Sequence, residues 1–375
     1  MNINLSRAAL SILLLLFSAA GLSAAAVQEE PSPGDSFTVT DMRGRSVTVP
    51  EDIDSIIALG AGSLRLISYL NAVDTIIAVE DQGHGREITV HDFFYLATYR
   101  LAFPGLRQLP DIGSAENHEG IIAAAPDVII SSTVDVGQLD QLQAVLGIPV
   151  FAIDADVELQ DTEVFFHQLR TLGKVIGREA RSEELTAGIE EILKDLGERA
   201  GMVDDPKRAY AGGMMFFGPS DLLRTTGDYL PFDLTGTVNV MPTSPAGNRQ
   251  PYMTSLEELI AAAPEAVFID AANINLSKSG FMTNRNLLEE QVPAFRDREV
   301  FTTFVYKYYG TNWENQLINV YSTGKVLYPG LFEDVSLEEK AEEIWNLFFG
   351  QPLDYHSVIQ LQKAGPGRVD WFKGE

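Results

Sequence analysis

NHEGIIAAAPDVII (residues 117–130) and SLEELIAAAPEAVFI (residues 255–269) decide the architecture of this 375-residue chain. Glu119 and Glu257, like Pro126 and Pro264, stand 138 positions apart, so the second stretch repeats the first in register. Each reads as a short helix closed by proline, which cannot continue a helix and biases the residue before it away from helical geometry. The apolar run that follows is too short for another helix and predicts a buried strand. Two copies of helix, proline and strand predict two similar α/β lobes. Two lobes imply a cleft, and one glutamate in the first turn of each copied helix implies a partner that touches both.

The flanking sequence extends this pattern. FTVT (37–40) and SVTV (46–49) alternate apolar and polar residues around Arg43-Gly44-Arg45, which reads as a β-hairpin ended by Pro50. IIAL (56–59), TIIAV (75–79), VII (128–130) and PVFAI (149–153) are short apolar strands separated by helical stretches. Such alternation predicts a parallel sheet covered by helices on both faces. From about 161 to 200 the pattern is helical, with Leu185, Ile189, Ile192, Leu193 and Leu196 on one apolar stripe. A second lobe restarts near Pro206 with AYAGGMMFF (209–217), crosses a glycine- and proline-rich stretch at 218–251, and continues through the second copy to a strand at 299–304. Thr311-Asn312-Trp313-Glu314 and Ser336-Leu337-Glu338-Glu339 read as capping boxes that open two more helices. The predicted fold is α/β: two Rossmann-like lobes with parallel sheets, 37–158 and 204–375, joined by a single long rigid helix within 159–203.

The first residues read as an address. Arg7, the apolar run AALSILLLLF (8–17) and small residues up to Ala26 predict a secretory signal peptide over 1–26, followed by a polar tether over 27–36. An uncleaved N-terminal anchor is the alternative, because the apolar character continues to Val27. The expected location is therefore outside the cell membrane, in a periplasm or on the outer face. The chain has no cysteine, which excludes a disulfide framework, thiolate zinc sites and iron–sulfur clusters. A formal charge of −26 argues against nucleic acid as a partner, since phosphate binding needs clustered Lys and Arg.

Catalytic and cofactor motifs fail one by one. Gly60-Ala61-Gly62-Ser63 has Arg65 where the dinucleotide fingerprint needs its third glycine, and Gly324-Lys325 continues with Val326 rather than the Ser or Thr of a phosphate loop. No Gly-x-Ser-x-Gly is present and no catalytic carboxylate pair stands out, so the chain is read as a non-enzyme without a cofactor. The five histidines, His84, His91, His118, His167 and His356, are scattered, and no metal site is assigned to them. Aromatics crowd two places: Phe93, Phe94, Tyr95 and Tyr99, and then Tyr306, Tyr308, Tyr309 and Trp313 just past a strand, where a parallel-sheet protein meets its ligand. Rings beside Lys307 and Asn312 suit a large ligand with polar edges.

Taken in order, DMRGRSVTVP (41–50), LPDIGS (109–114) with the first copied stretch, LGIPV (146–150), NWE (312–314) and GKVLYP (324–329) make the chain resemble a known family. It is similar to the substrate-binding proteins of ABC importers for iron complexes and vitamin B12. The resemblance implies a monomeric receptor that holds a metal chelate, an iron–siderophore, haem or corrinoid, between two lobes with little closure. It also implies docking to a dimeric permease through Glu119 and Glu257. Expected ligand contacts are Ser63, Arg65, Asp81, Tyr95 and Tyr99 from the first lobe. From the second they are Phe217, Asn248, Arg249, Tyr252, Tyr308, Tyr309, Asn312 and Trp313. The competing readings are a receptor that binds bare metal ions through histidines and an enzyme on a similar two-lobe scaffold.

Overall fold

The computed structural model describes residues 35–80, 96–157, 159–215, 220–244 and 249–372. The repeated stretch is repeated in three dimensions. Asn117 caps helix His118–Ala124 by accepting from the Gly120 N–H, and Ser255 caps helix Leu256–Ala262 in a full capping box with Glu258. Both helices end in a left-handed alanine, Ala125 (φ 50°) and Ala263 (φ 44°), one residue before the proline. A left-handed alanine costs about 1–2 kcal/mol relative to the right-handed region, yet it turns the chain sharply enough to feed a strand. The acid after each proline then binds a neighbouring strand. Asp127 accepts from the Asp54 and Ser55 N–H groups and the Ser55 hydroxyl, and Glu265 from the Arg208 N–H.

The strands, in chain order, are β1 Ser36–Thr40, β2 Ser46–Pro50, β3 Ile56–Leu59, β4 Ile76–Val79, β5 Val128–Ser131, β6 Val150–Ala152, β7 Arg208–Gly212, β8 Arg224–Thr225, β9 Val238–Asn239, β10 Tyr252–Met253, β11 Ala266–Asp270, β12 Val300–Thr303 and β13 Gly367–Arg368. The predicted hairpin is the antiparallel pair β1–β2. Its turn is tied to the first sheet by the Met42 N–H donating to Ala152 and by Arg45 bonding Asp41, Asp140 and the Val150 carbonyl. The first sheet has the order β4–β3–β5–β6 and is parallel throughout. The second has a parallel core β7–β11–β12, flanked by antiparallel β13 on one side and by antiparallel β8 and then β10 on the other, with β9 pairing β7 in parallel. The strands of the two copies, β5 and β11, each lie between two parallel neighbours.

Alternation along these strands sorts side chains between faces. In the first sheet Ile57, Leu59, Ile129 and Val150 face one outer cluster, while in the second Tyr210, Val267, Ile269 and Val300 face another. The residues between them, Ile56, Ala58, Val128 and Ile130 in one sheet and Ala209, Ala211, Phe268 and Phe301 in the other, enter a single cluster common to both. Ser36–Glu375 is accordingly one compact unit.

The connection between the sheets is helical, but it is two helices broken by a turn rather than the single long helix expected. A short 3-10 turn at Leu159–Asp161 leads into helix Thr162–Val175, and the chain turns at Gly177 (φ 63°) into the 22-residue helix Glu179–Ala200. That long helix buries Leu185, Ile189, Ile192 and Leu196 of the predicted stripe and leaves Leu193 half-buried. One local expectation is corrected. Thr311 and Glu314 form no capping box: Asn312 is the N-cap of helix Trp313–Leu327 and makes no side-chain cap bond. Glu314 is fully buried and accepts a hydrogen bond from the Tyr69 hydroxyl instead.

Candidate functional site

Open α/β sheets hold ligands beyond the carboxyl ends of their strands. Here the chain leaving β3 and the chain leaving β12 meet. Gly62 (φ 85°) opens helix Ser63–Tyr69, and Gly310 (φ 86°) ends the loop after β12. A Cβ on Gly310 would lie 3.2 Å from the Gly62 Cα, so the two backbones approach closely and a side chain there would be tight.

Arg65 fixes this crossing. One terminal nitrogen of its guanidinium donates to the carbonyls of Tyr309 (3.1 Å) and Thr311 (2.8 Å), and the other to that of Tyr308 (2.7 Å). A rigid fork of donors suits three carbonyls on one turn, and a buried charge needs such partners. One helical turn later Tyr69 donates to Glu314. Burial raises the Glu314 carboxyl above its ordinary range, opposed by the positive charge of Arg65 and the Tyr69 hydrogen bond. Burial, reinforced by Glu314, likewise pushes the Tyr69 hydroxyl up.

The loop between β12 and helix Trp313–Leu327 is anchored at its start as well. Asp270, at the end of β11, accepts from the Tyr306 N–H (3.1 Å) and the Ala272 N–H (2.8 Å). Burial raises its carboxyl to about 7, against the lowering effect of those two N–H groups. Asn312 donates to the Val305 and Leu96 carbonyls, and its N–H donates to the Tyr306 carbonyl. Between these anchors Tyr308 and Tyr309 pack edge to face, 5.2 Å between centroids. Tyr309 has a left-handed backbone (φ 48°) and is 39% exposed, with the Arg100 guanidinium 5.4 Å from its ring centroid. The result is a fixed aromatic edge with one open ring.

The sequence-predicted contacts separate into groups. Tyr308 and Tyr309 form the edge. Arg65, Tyr99, Asn312 and Trp313 come together at the same junction and are buried there, at 0–2% exposure, in contacts between the two halves of the chain. Trp313 stacks on Phe165 at 4.7 Å and donates to the Val157 carbonyl, while Tyr99 lies under both Arg65 and Arg100. Ser63 is buried and donates to the Leu59 carbonyl within its own turn. Arg249 pairs with Asp161 at the start of the connection, and Tyr252 donates to the Pro242 carbonyl. Asp81, Tyr95, Phe217 and Asn248 lie outside the described residues, as do His84 and His91. Sequence reasoning missed Arg100, Asp270, Tyr69 and Glu314; no local signal marks the last two, whose partnership spans 245 positions.

Glu119 and Glu257 occupy the same station, second residue of the matched helices, and both are exposed. Among the described residues neither forms an ion pair, whereas Glu258 is engaged by Thr254 and Ser255, which hold its carboxyl below the ordinary range. His118, His167 and His356 sit on three separate helices, and the described residues contain no group of three or more His, Asp or Glu able to hold a metal ion. A groove of about 610 Å³ lies elsewhere, between the long connecting helix and helices Trp313–Leu327 and Leu337–Phe349. Its floor is closed by Arg199 bonding Asp195 and Asp334. No helix among the described residues is long and apolar enough to cross a membrane.

Comparison with known proteins agrees with this architecture. The sequence profile of a family described as periplasmic binding protein matches residues 105–304. The molybdate-binding protein MolA of Haemophilus influenzae is 22% identical over 342 residues, covering 83% of this chain and 90% of MolA. The structure of MolA bound to molybdate superposes with a TM-score of 0.66 at 20% identity, over 85% of this chain and 99% of that one. Helicobacter pylori CeuE with Ni(II) bound gives a TM-score of 0.60 at 16% identity, over 86% and 98% of the two chains. The periplasmic heme-binding protein HutB of Vibrio cholerae gives 0.53 at 18%, over 73% and 99%. With two parallel-core sheets joined through a long helix and a matching profile over more than half its length, the chain belongs to the periplasmic binding protein family of ABC importers, whose members bind solutes and are not enzymes.

Proposed function

We propose that this exported receptor captures a metal chelate, an iron–siderophore or haem first and a corrinoid second, against the Tyr308–Tyr309 edge. It then presents the chelate to a two-fold permease through Glu119 and Glu257, acting as a monomer with lobes at 37–158 and 204–375 and the connection at 159–203. The observation that carries the reading is the pair of exposed, unpaired glutamates at identical stations of two copied helices. Exposed ion pairs contribute about 0–1 kcal/mol each, which suits docking that sets register and then releases. Charge reversal, Glu119→Lys with Glu257→Lys, is expected to abolish cellular uptake while ligand affinity stays at the parental value. Normal uptake by the doubly reversed protein removes the docking assignment.

A compact oxyanion of the molybdate kind is the second reading, favoured by the likeness to MolA over 83% of the chain. Absorbance and elemental analysis of protein purified from its native source separate the two. A haem or corrin spectrum, or stoichiometric iron, supports the chelate; stoichiometric molybdenum without an organic chromophore supports the oxyanion.

A further inference from the structure

We propose that Arg65, contributed by one lobe, is the positioning residue of the aromatic edge on the other, so that Tyr308 and Tyr309 keep their arrangement only while the lobes are in contact. Three observations meet here. All three of its acceptors are carbonyls of the loop that carries the tyrosines, and that loop holds two consecutive left-handed residues, Tyr309 and Gly310. A non-glycine residue in that region is strained and persists only where its surroundings impose it. Anchors from Asp270, Asn312 and Asn315 act at Val305 and Tyr306, before the tyrosines. Downstream of Tyr306, the bond from the Tyr308 N–H to the Gly310 carbonyl is internal to the turn, and the ties to the opposite lobe include Arg65 on three carbonyls, the Thr311 N–H on Ala155 at 3.4 Å, the Asn312 amide on Leu96 and the Arg100 guanidinium over the Tyr309 ring, of which Arg65 alone holds the backbone of both tyrosines by hydrogen bonds among the described contacts.

The geometry couples two events. Lobe separation at Gly62 and Gly310 withdraws the guanidinium from all three carbonyls together, because a single planar group makes the bonds. The strained turn at Tyr309 then loses its support, and the edge loosens. A receptor built this way need not open widely to release cargo; a small displacement at the crossing changes the surface the cargo rests on. That last step depends on the reading above that Tyr308 and Tyr309 touch the ligand, whereas the coupling itself does not.

The absence of cysteine makes the test clean. Spin labels on Ala123→Cys and Ala261→Cys, exposed positions of the two copied helices, report the distance between lobes by pulsed electron paramagnetic resonance. Hydrogen exchange of peptides spanning 304–312 reports the loop, and peptides from β5 and β11 report global stability. In Arg65→Gln, exchange at 307–311 is expected to rise roughly 10–100-fold, the loss of charged hydrogen bonds, with β5 and β11 at parental rates. The interlobe distance broadens in the same variant. Arg65→Lys restores both in part, since an ammonium lacks the fork that spans the turn. Parental exchange at 307–311 in Arg65→Gln overturns the proposal, as does a rise shared equally by β5 and β11. If Arg65→Gln does not fold, Arg65→Lys decides: intermediate exchange supports the coupling and parental exchange refutes it. Haemin titration forms a separate arm. A loosened loop with unchanged haemin affinity upholds the coupling and counts against the tyrosines as a haem contact.

Discussion

Replacing Tyr69 by phenylalanine removes one oxygen from the interlobe junction and leaves the ring in place. The ring contacts with Phe348 (4.8 Å), Phe349 (5.7 Å) and Trp313 (5.9 Å) survive, so apolar burial is unchanged. What is lost is a hydrogen bond to a buried carboxylate whose other oxygen has no hydrogen-bond partner among the described residues. Hydrogen bonds to charged groups contribute about 1.5–3 kcal/mol, and breaking a buried ion pair costs about 3–5 kcal/mol. Glu314 keeps the nearby charge of Arg65, which places the expected loss near the lower of these, about 2–3 kcal/mol. Glu314→Gln converts the acceptor to a neutral one, for which the same hydroxyl is worth about 1 kcal/mol. The two substitutions should therefore couple by about 1–2 kcal/mol in a double-mutant cycle. Urea unfolding followed by the fluorescence of Trp313, Trp345 and Trp371 measures each corner, and the core shared by both sheets predicts one transition. A Tyr69→Phe protein within 0.5 kcal/mol of the parent, or strict additivity with Glu314→Gln, would refute the reasoning, because both imply that the hydroxyl does nothing for the buried acid.

Two further outcomes follow from other buried or matched acids. The Asp270 carboxyl is raised to about 7 from an ordinary value of 3.8, so the folded state keeps a proton that the unfolded chain gives up. Its contribution is fully present below about pH 4 and is lost as pH rises toward 7, on the order of 4 kcal/mol across that window. The parent should thus lose stability relative to Asp270→Asn between pH 4 and 7, read from urea midpoints at several pH values; a pH-independent difference contradicts the assignment. The matched acids after the two prolines should differ, because Asp127 accepts three hydrogen bonds and Glu265 one side-chain-accepted bond from Arg208. Asp127→Ala is expected to cost about 2–3 kcal/mol and Glu265→Ala under about 1 kcal/mol by thermal or urea unfolding, and equal costs would show that the two copies are not anchored as their geometry indicates.

Features that depend on near neighbours were legible in the sequence. The copied helices, the capping box at Ser255 and Glu258, the β1–β2 hairpin and the buried stripe of the long helix all arise from residues a few positions apart. The interlobe junction was not. Arg65 meets acceptors 243 to 246 positions away, and its burial follows from a crossing that only the folded chain creates. Residues that meet a ligand and residues that bond across the fold belong to the same types, so the sequence alone does not foresee that Asn312, Trp313 and Arg65 bond across this junction. Glu314 shows the same ambiguity at short range. Its spacing from Thr311 matches a capping box, but desolvated pairing with Tyr69 prevails once helix Ser63–Tyr69 packs alongside. The repeat does make the matched positions of Glu119 and Glu257 legible, since each helix supplies a reference copy for the other.

The cluster common to both sheets bears on how the molecule can be handled. It draws Ile56, Ala58, Val128 and Ile130 from one sheet and Ala209, Ala211, Phe268 and Phe301 from the other into one buried interior. Neither half can be cut free without presenting an apolar sheet to water. Stability therefore belongs to the undivided chain, and a truncation meant to isolate one sheet is expected to yield an aggregating fragment rather than a small domain.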